Sequence, residues 1–235
     1  MDGLPYLQHW DYSAAGVRRS VEDSLQRLGL ARLDTAYVHD CDAITHGADA
    51  PRVLRQIIDE TLPALRQLQR EGLIDQVGLG VNDHQVVLDV LRQADLDTLL
   101  LAGRYTLLDH SALPELMPEC QRRGVRLALG GLFNSGLLAS GTRAGTALFN
   151  YAPAAPAWME RTARIEACCA HHGVVLRAAA LQFARAHPSV HTLLLGARHV
   201  SEWHDGLKML HQPIPATFWA DLRRAGLLPD QAPTP

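Results

Sequence analysis

The sequence predicts an α/β fold built on a parallel sheet, and three observations predict it. Short apolar runs alternate with amphipathic stretches five times along the chain, and glycines stand where the amphipathic stretches should end. The 235 residues are 47% hydrophobic and 20% charged, which suits a globular chain and excludes disorder. Strand followed by helix, repeated, implies parallel strands joined by right-handed crossovers.

The elements follow in order. Val17, Val21, Leu25 and Leu28 recur at helical spacing, with Ser13 as a cap and Gly29 at the stop. Leu33-Asp34-Thr35-Ala36-Tyr37-Val38 reads as the first strand. Leu62, Leu65 and Leu68 mark a helix before Gly72, capped by Thr61, with Pro63 in the first turn where its missing N–H costs nothing. Residues 74–81 and 98–102 are the next strands, with a helix around Val86, Val87 and Leu91 between them. A helix over 113–120 ends before Gly124, a fourth strand spans 125–129, and a fifth spans 192–195. No linker divides the chain, so 1–235 reads as one domain. The Gly/Ala/Pro-rich stretch 130–156 is its longest loop, and 229–235 is expected to fray.

Composition narrows the partners. The formal net charge is −3, so no basic excess points to nucleic acid. Met1-Asp2-Gly3-Leu4-Pro5 does not open a signal peptide, and no apolar run approaches the roughly 20 residues that span a bilayer. Cys41, Cys120, Cys168 and Cys169 form no CxxC pair, which suits free thiols in a reducing cytoplasm.

In a parallel α/β fold, ligand chemistry collects past the carboxyl ends of the strands. Those positions here are His39, Asn82, Gly103-Arg104-Tyr105, Gly130-Gly131-Leu132-Phe133-Asn134-Ser135-Gly136 and Gly196-Ala197-Arg198. Each has a plain explanation: a hydrogen-bonded structural histidine, a helix cap at Asn82, turns at the glycines, a surface cation. Their convergence on one rim supports a site. Asp40 and Asp42 read as ordinary loop carboxylates beside His39, though either an acidic pocket or an Asp40 that orients His39 is open. The glycine-rich loop, followed by a helix start, suits phosphate oxygens as well as a plain turn. Neither it nor Gly78-Leu79-Gly80 is GxGxxG. Cys168-Cys169-Ala170-His171-His172 is read as no metal site: adjacent helical residues diverge by about 100°, and third and fourth ligands are not evident.

These words also resemble a known family. Ser24-Leu25-Gln26-Arg27-Leu28-Gly29-Leu30, then the strand through Val38-His39-Asp40, is similar to the aldo-keto reductase segment that carries the active-site histidine. Val77-Gly78-Leu79-Gly80-Val81-Asn82, Gly103-Arg104-Tyr105-Thr106-Leu107-Leu108, Phe133-Asn134-Ser135-Gly136-Leu137-Leu138 and Asn150-Tyr151-Ala152-Pro153 follow in the family's order. The resemblance is strongest to the branch of aldose and pyridoxal dehydrogenases. It implies a (β/α)₈ barrel and an oxidoreductase using NADP or NAD on a small aldose or aldehyde. It implies that His39 bonds the substrate carbonyl or hydroxyl, that Asn82 holds the nicotinamide carboxamide, and that Tyr105 lies near the substrate or ring. Gly131, Leu132, Asn134, Ser135 and Gly136 would contact the pyrophosphate, and Arg198 the adenosine ribose or its 2′-phosphate. The pattern departs at Val81, Ala102 and Gly206, where the family has Ser, Gln and an adenine-reading Asn.

In the family three strands precede the histidine segment and carry an Asp, a Tyr and a Lys. A free phenol has a pKa near 10, so moving its proton near neutrality needs an adjacent cation and a fixed hydrogen bond. The chain's tyrosines are Tyr6, Tyr12, Tyr37, Tyr105 and Tyr151, and its one lysine is Lys208. No tyrosine–lysine pair can be assembled by position. The expectation is therefore a partial barrel of about five strands with the first three missing. Its open edges invite self-association, and the chain alone has negligible dehydrogenase activity. The alternative is a non-catalytic nucleotide-binding or scaffold protein.

Overall fold

Helix α1 (Ala14–Leu28) starts as its cap dictates: the Gly16 N–H donates to Ser13 Oγ, and Gly29 ends the helix at φ 65°. Strand β1 (Leu33–His39) leads to α2 (Ala43–His46) and a 3₁₀ turn (Gly47–Asp49). Then α3 (Ala50–Gln56), a π turn (Ile57–Thr61) and α4 (Leu62–Arg70) run on without a break in helical backbone. Thr61 is thus not the predicted cap but lies inside a longer helix, where its Oγ1 donates to the Tyr12 carbonyl. Pro63 is accommodated because the π turn reroutes the ladder, the Leu62 N–H reaching back to Ile57 O.

The chain continues through β2 (Ile74–Val81), α5 (His84–Leu91), β3 (Thr98–Ala102), α6 (Leu116–Arg123) and β4 (Arg126–Gly130). A short α7 (Leu137–Ser140) and a hairpin of β5 (Leu148–Phe149) with β6 (Ala152–Pro153) occupy the long loop. Helices α8 (Pro156–His172) and α9 (Leu176–Arg185), strand β7 (Val190–Leu193), and helices α10 (Val200–His211) and α11 (Ala216–Arg224) complete the chain. The computed structural model describes residues 7, 9–142, 147–150 and 152–235. The sequence readings at residues 1–5, Tyr6 and Tyr151 lie outside them.

The five predicted strands form one parallel sheet in the order β1-β2-β3-β4-β7. Two boundaries move. The fourth strand lies one residue later than expected and the fifth two residues earlier, and the β4–β7 ladder shifts register between Leu127 and Ala128. Ladder partners share a face and neighbours alternate. One face carries Val77, Leu79, Val81, Leu99, Leu101, Leu127 and Leu129, all buried under helices. Each such burial contributes about 2 kcal/mol. The other face carries Tyr37, His39, Gly78, Gly80, Leu100, Ala102 and Gly130, and it is only partly covered. Among the described residues, β1 and β7 each have a ladder partner on one side alone. At the C-terminus, where fraying was expected, Ala232 is buried and Arg223 Nη2 donates to Ala232 O and Thr234 Oγ1. No described helix is long and apolar enough to cross a membrane.

Candidate functional site

The carboxyl ends of the five strands form one rim. His39 closes β1 opposite Gly80, Asn82 follows β2, and Gly103 follows β3 with its N–H donating to Gly130 O at 3.0 Å. Asp40, at φ 47°, turns its carboxylate back so that Oδ2 lies 2.9 Å from His39 Nδ1. A proton on Nδ1 is assigned from that contact, which leaves Nε2 as the atom that meets a ligand. The imidazole is 63% exposed.

Behind the imidazole, the Tyr12 hydroxyl lies 3.0 Å from His39 O, 3.1 Å from Asp40 O and 3.0 Å from His46 Nε2. Trp10 stacks on Tyr12 and meets His46 edge-on. Burial raises the Tyr12 phenol above its ordinary value, and Cys41, Asp40 and Asp42 add to the shift. This aromatic brace holds the backbone under the imidazole. Nothing in the sequence signalled it, because Tyr12 lies 27 to 34 residues from the groups its hydroxyl meets.

Asn82 is not the helix cap that its position allowed. Asp83 takes that role, accepting from the Gln85 N–H at 2.8 Å. Asn82 lines an open cleft of about 230 Å³ with Gly103, Gly131, Leu132, Asn134, Ser135 and Gly136. The loop's shape rests on left-handed backbone at Gly131, Asn134, Ser135 and Gly136. Some of its amides are engaged in its own turns: Asn134 N–H donates to Gly131 O, Gly136 N–H to Phe133 O and Leu137 N–H to Asn134 O. Asn134 is 3% exposed and acts as a staple. Its Nδ2 donates to Gly103 O at 3.3 Å, and its Oδ1 accepts from Thr106 Oγ1 at 2.7 Å. Leu132 is buried in the core.

A second, larger cleft of about 1040 Å³ shares Phe133, Ser135, Leu195 and Gly196 with the first. Arg198 borders it, together with Arg177, Glu202, Trp203 and Asp205. Arg198 is not a lone surface cation, for its Nη2 lies 3.1 Å from Glu202 Oε1. Gly206 is buried in α10, and a Cβ there would come 3.3 Å from Leu195 Cδ1. Sequence reasoning passed over Glu202, Trp203 and the Arg177–Asp205 pair.

Tyr105 departs from expectation. It is 1% exposed, borders neither cleft, stacks on Phe183 at 5.2 Å between ring centres and meets His187 edge-on. Gly103, at φ 71°, and the turns after it swing the side chain toward α9 instead of the rim. In the Cys-His segment, Cys169 is buried, and His172 Nε2 lies 2.9 Å from Asp221 Oδ2. Asp221 adds a third group beside His171 and His172, but its Oδ1 takes the Arg224 guanidinium at 2.6 Å.

Comparison with known proteins places the chain in a family. A profile described as the aldo/keto reductase family matches residues 4–226. The chain is 41% identical to pyridoxal 4-dehydrogenase of Microbacterium luteolum, over 97% of its own length and 66% of that protein's. It is 32% identical to D-threo-aldose 1-dehydrogenase of a Pseudomonas species, over 94% and 65%. It therefore spans about two thirds of the length of these relatives. Among solved structures, the holo form of aldo-keto reductase AKR11C1 from Bacillus halodurans superposes with a TM-score of 0.71. That match is 22% identical and covers 95% of this chain and 72% of the other, which speaks for the fold. The profile match and the two curated relatives establish that the chain belongs to the aldo/keto reductase family.

Proposed function

We propose that this chain forms the nucleotide-holding and substrate-orienting side of an NAD(P)-linked oxidoreductase acting on an aldose or aldehyde. Its sheet is read as five strands of a (β/α)₈ barrel. The observation that carries the reading is the rim. An imidazole set by a carboxylate closes β1, Asn82 follows β2, and the loop after β4 joins two continuous clefts.

The residues present suit a dinucleotide in size and in chemistry. Asn82 offers one amide donor group and one acceptor, the complement of a carboxamide. Residues 131–136 border the stretch between the clefts, where a pyrophosphate would run. The nicotinamide, when bound, exchanges hydride with the substrate. In the assigned tautomer, His39 Nε2 accepts a hydrogen bond from a substrate hydroxyl, the arrangement suited to oxidising a sugar hydroxyl. When protonated, the same atom donates to a carbonyl.

Proton transfer is the weak point of the chain by itself. The Tyr12 hydroxyl is engaged with backbone carbonyls, Tyr37 Oη lies 3.3 Å from Thr98 Oγ1, and Tyr105 is buried. Lys208 sits exposed on α10. Among the described residues no phenol stands beside a cation at His39, so turnover by these 235 residues alone is negligible. Under this reading the isolated chain is a nucleotide-binding scaffold.

Two measurements on the purified chain test the reading. Titration calorimetry with NAD and NADP is expected to detect binding, and silence at millimolar nucleotide would overturn it. NAD(P)H absorbance with L-fucose, D-arabinose and pyridoxal is expected to stay flat. Turnover comparable with the full-length relatives would overturn the proton-transfer part.

A further inference from the structure

Helices α8 and α11 bring three donor groups together, and none of the three lines either cleft. His171 and His172 end α8 just ahead of the Gly173 cap, and Asp221 reaches them from α11. One ligand atom from each lies within 4.8 Å of the others. Sequence spacing offered only the histidine pair, and adjacent helical residues diverge by about 100°. In the structure the two rings nevertheless stand edge to face with centres 4.9 Å apart. His172 is fixed on two sides: its Nε2 lies 2.9 Å from Asp221 Oδ2, and its ring meets Phe218 edge-on. Its side chain is 11% exposed, whereas His171 is open to solvent and can turn. Arg224 holds Asp221 through the other oxygen, Oδ1, at 2.6 Å, which leaves Oδ2 directed at His172. Cys168, one turn back, is outside the set, with its Sγ 4.0 Å from Phe218 O.

We propose that His171, His172 and Asp221 form a site for a divalent transition-metal ion of the zinc class, which clamps α8 to α11. Two imidazoles and one carboxylate are a donor set that zinc takes, with the fourth position left to water, whereas magnesium and calcium prefer oxygen throughout. A tetrahedral ion holds its donors about 3.3 Å apart. The His172–Asp221 pair is close to that spacing, and rotation of the exposed His171 ring closes the rest. The ion takes the place of the proton that the 2.9 Å contact assigns to His172 Nε2, and that proton leaves to solvent. Both histidines sit in the last turn of α8, where the negative end of the helix dipole favours a cation. The site does not depend on the nucleotide reading.

The test is titration calorimetry with Zn²⁺ on the tag-free 235-residue chain, stripped of metal by a chelator and free of nucleotide. One ion per chain is expected, with a Kd on the order of 1 μM, weaker than structural zinc held by four protein ligands. His171→Gln and Asp221→Asn should each weaken binding by at least about tenfold. His204→Gln, at an exposed position of α10, should leave it unchanged. Free Zn²⁺ at about a hundred times Kd should raise wild-type melting by about 5–11 °C, and that of His171→Gln far less. Co²⁺ in place of Zn²⁺ should show ligand-field bands with no thiolate charge-transfer band. Absence of saturable Zn²⁺ binding, wild-type affinity in both ligand variants, or a thiolate band that puts the ion on a cysteine would overturn the proposal.

Discussion

His39 lies against the bare backbone of Gly80, its register partner across the first ladder: a Cβ at Gly80 would come 3.1 Å from the imidazole Cδ2 and 3.8 Å from Nε2. The glycine is what lets the ring lie over β2 instead of standing off it. The imidazole is exposed and can give by a few tenths of an ångström, so Gly80→Ala should cost less than about 1 kcal/mol. Gly78, two residues earlier, is the internal control. A Cβ there would sit 2.5 Å from the Thr98 carbonyl oxygen and 2.9 Å from Tyr37 Cδ1. A sheet carbonyl cannot yield, so Gly78→Ala should cost roughly 2–4 kcal/mol through overpacking. Urea unfolding at neutral pH separates the two, and a Gly78→Ala variant as stable as wild type would refute the account.

The staple at Asn134 gives a second expectation. Its side chain joins the loop after β3 to the loop after β4 through Gly103 O and Thr106 Oγ1, and its backbone sits at φ 44°. Asn tolerates left-handed backbone better than Ala does. Asn134→Ala therefore loses two buried hydrogen bonds and adds backbone strain, together roughly 2–4 kcal/mol. Melting should fall by about 4–16 °C for a chain of this size. Nucleotide affinity should fall with it, because the loop that borders the first cleft loses its anchor. An unshifted melting curve would show that the staple carries no weight.

Much of this architecture was legible because it is local. Ser13, Gly29 and Gly124 act within one turn of themselves, and the strand runs needed only their own apolar residues. Asp40 could be considered as a partner of His39 because the two are neighbours in sequence, and the contact forms in place of the ordinary loop carboxylate that the sequence favoured. What escaped was non-local or conformational. Thr61 reads as a cap until the preceding helix, continued through a π turn, is seen to absorb it. Tyr105 stands at a strand end, but the direction of a side chain past a strand depends on turns that residue types do not specify. Its hydroxyl finds no partner among the described residues, and it packs as an aromatic core residue. Arg198 reads as a lone surface cation only while Glu202, four residues on, is left out; the i,i+4 spacing carries that pair. The brace of Trp10, Tyr12 and His46 had no sequence signature at all.

Histidines whose rings are partly desolvated set a pH dependence. Burial, and then the Arg161 guanidinium, push His110 down to about 4, while burial lowers His187 and His191. Among the described residues the His110 Nε2 has no partner, so a proton there would be a buried, uncompensated charge. Between pH 6.5 and about 4 the unfolded chain takes up a proton at His110 that the folded chain refuses. Stability is therefore complete above 6.5 and is lost as the pH falls through this window, by an amount on the order of 3 kcal/mol for His110 at the bottom of it. Carboxylates with lowered values, such as Glu119 at about 2, act mainly below the ordinary carboxylate range and leave the upper part of the window to the histidines. Urea midpoints measured from pH 7.5 down to about 4.5 should decline steadily in the wild type. His110→Asn keeps a polar group near the Arg161 contact but cannot titrate, and its midpoint should decline distinctly less. Parallel declines in the two proteins would assign the acid sensitivity elsewhere.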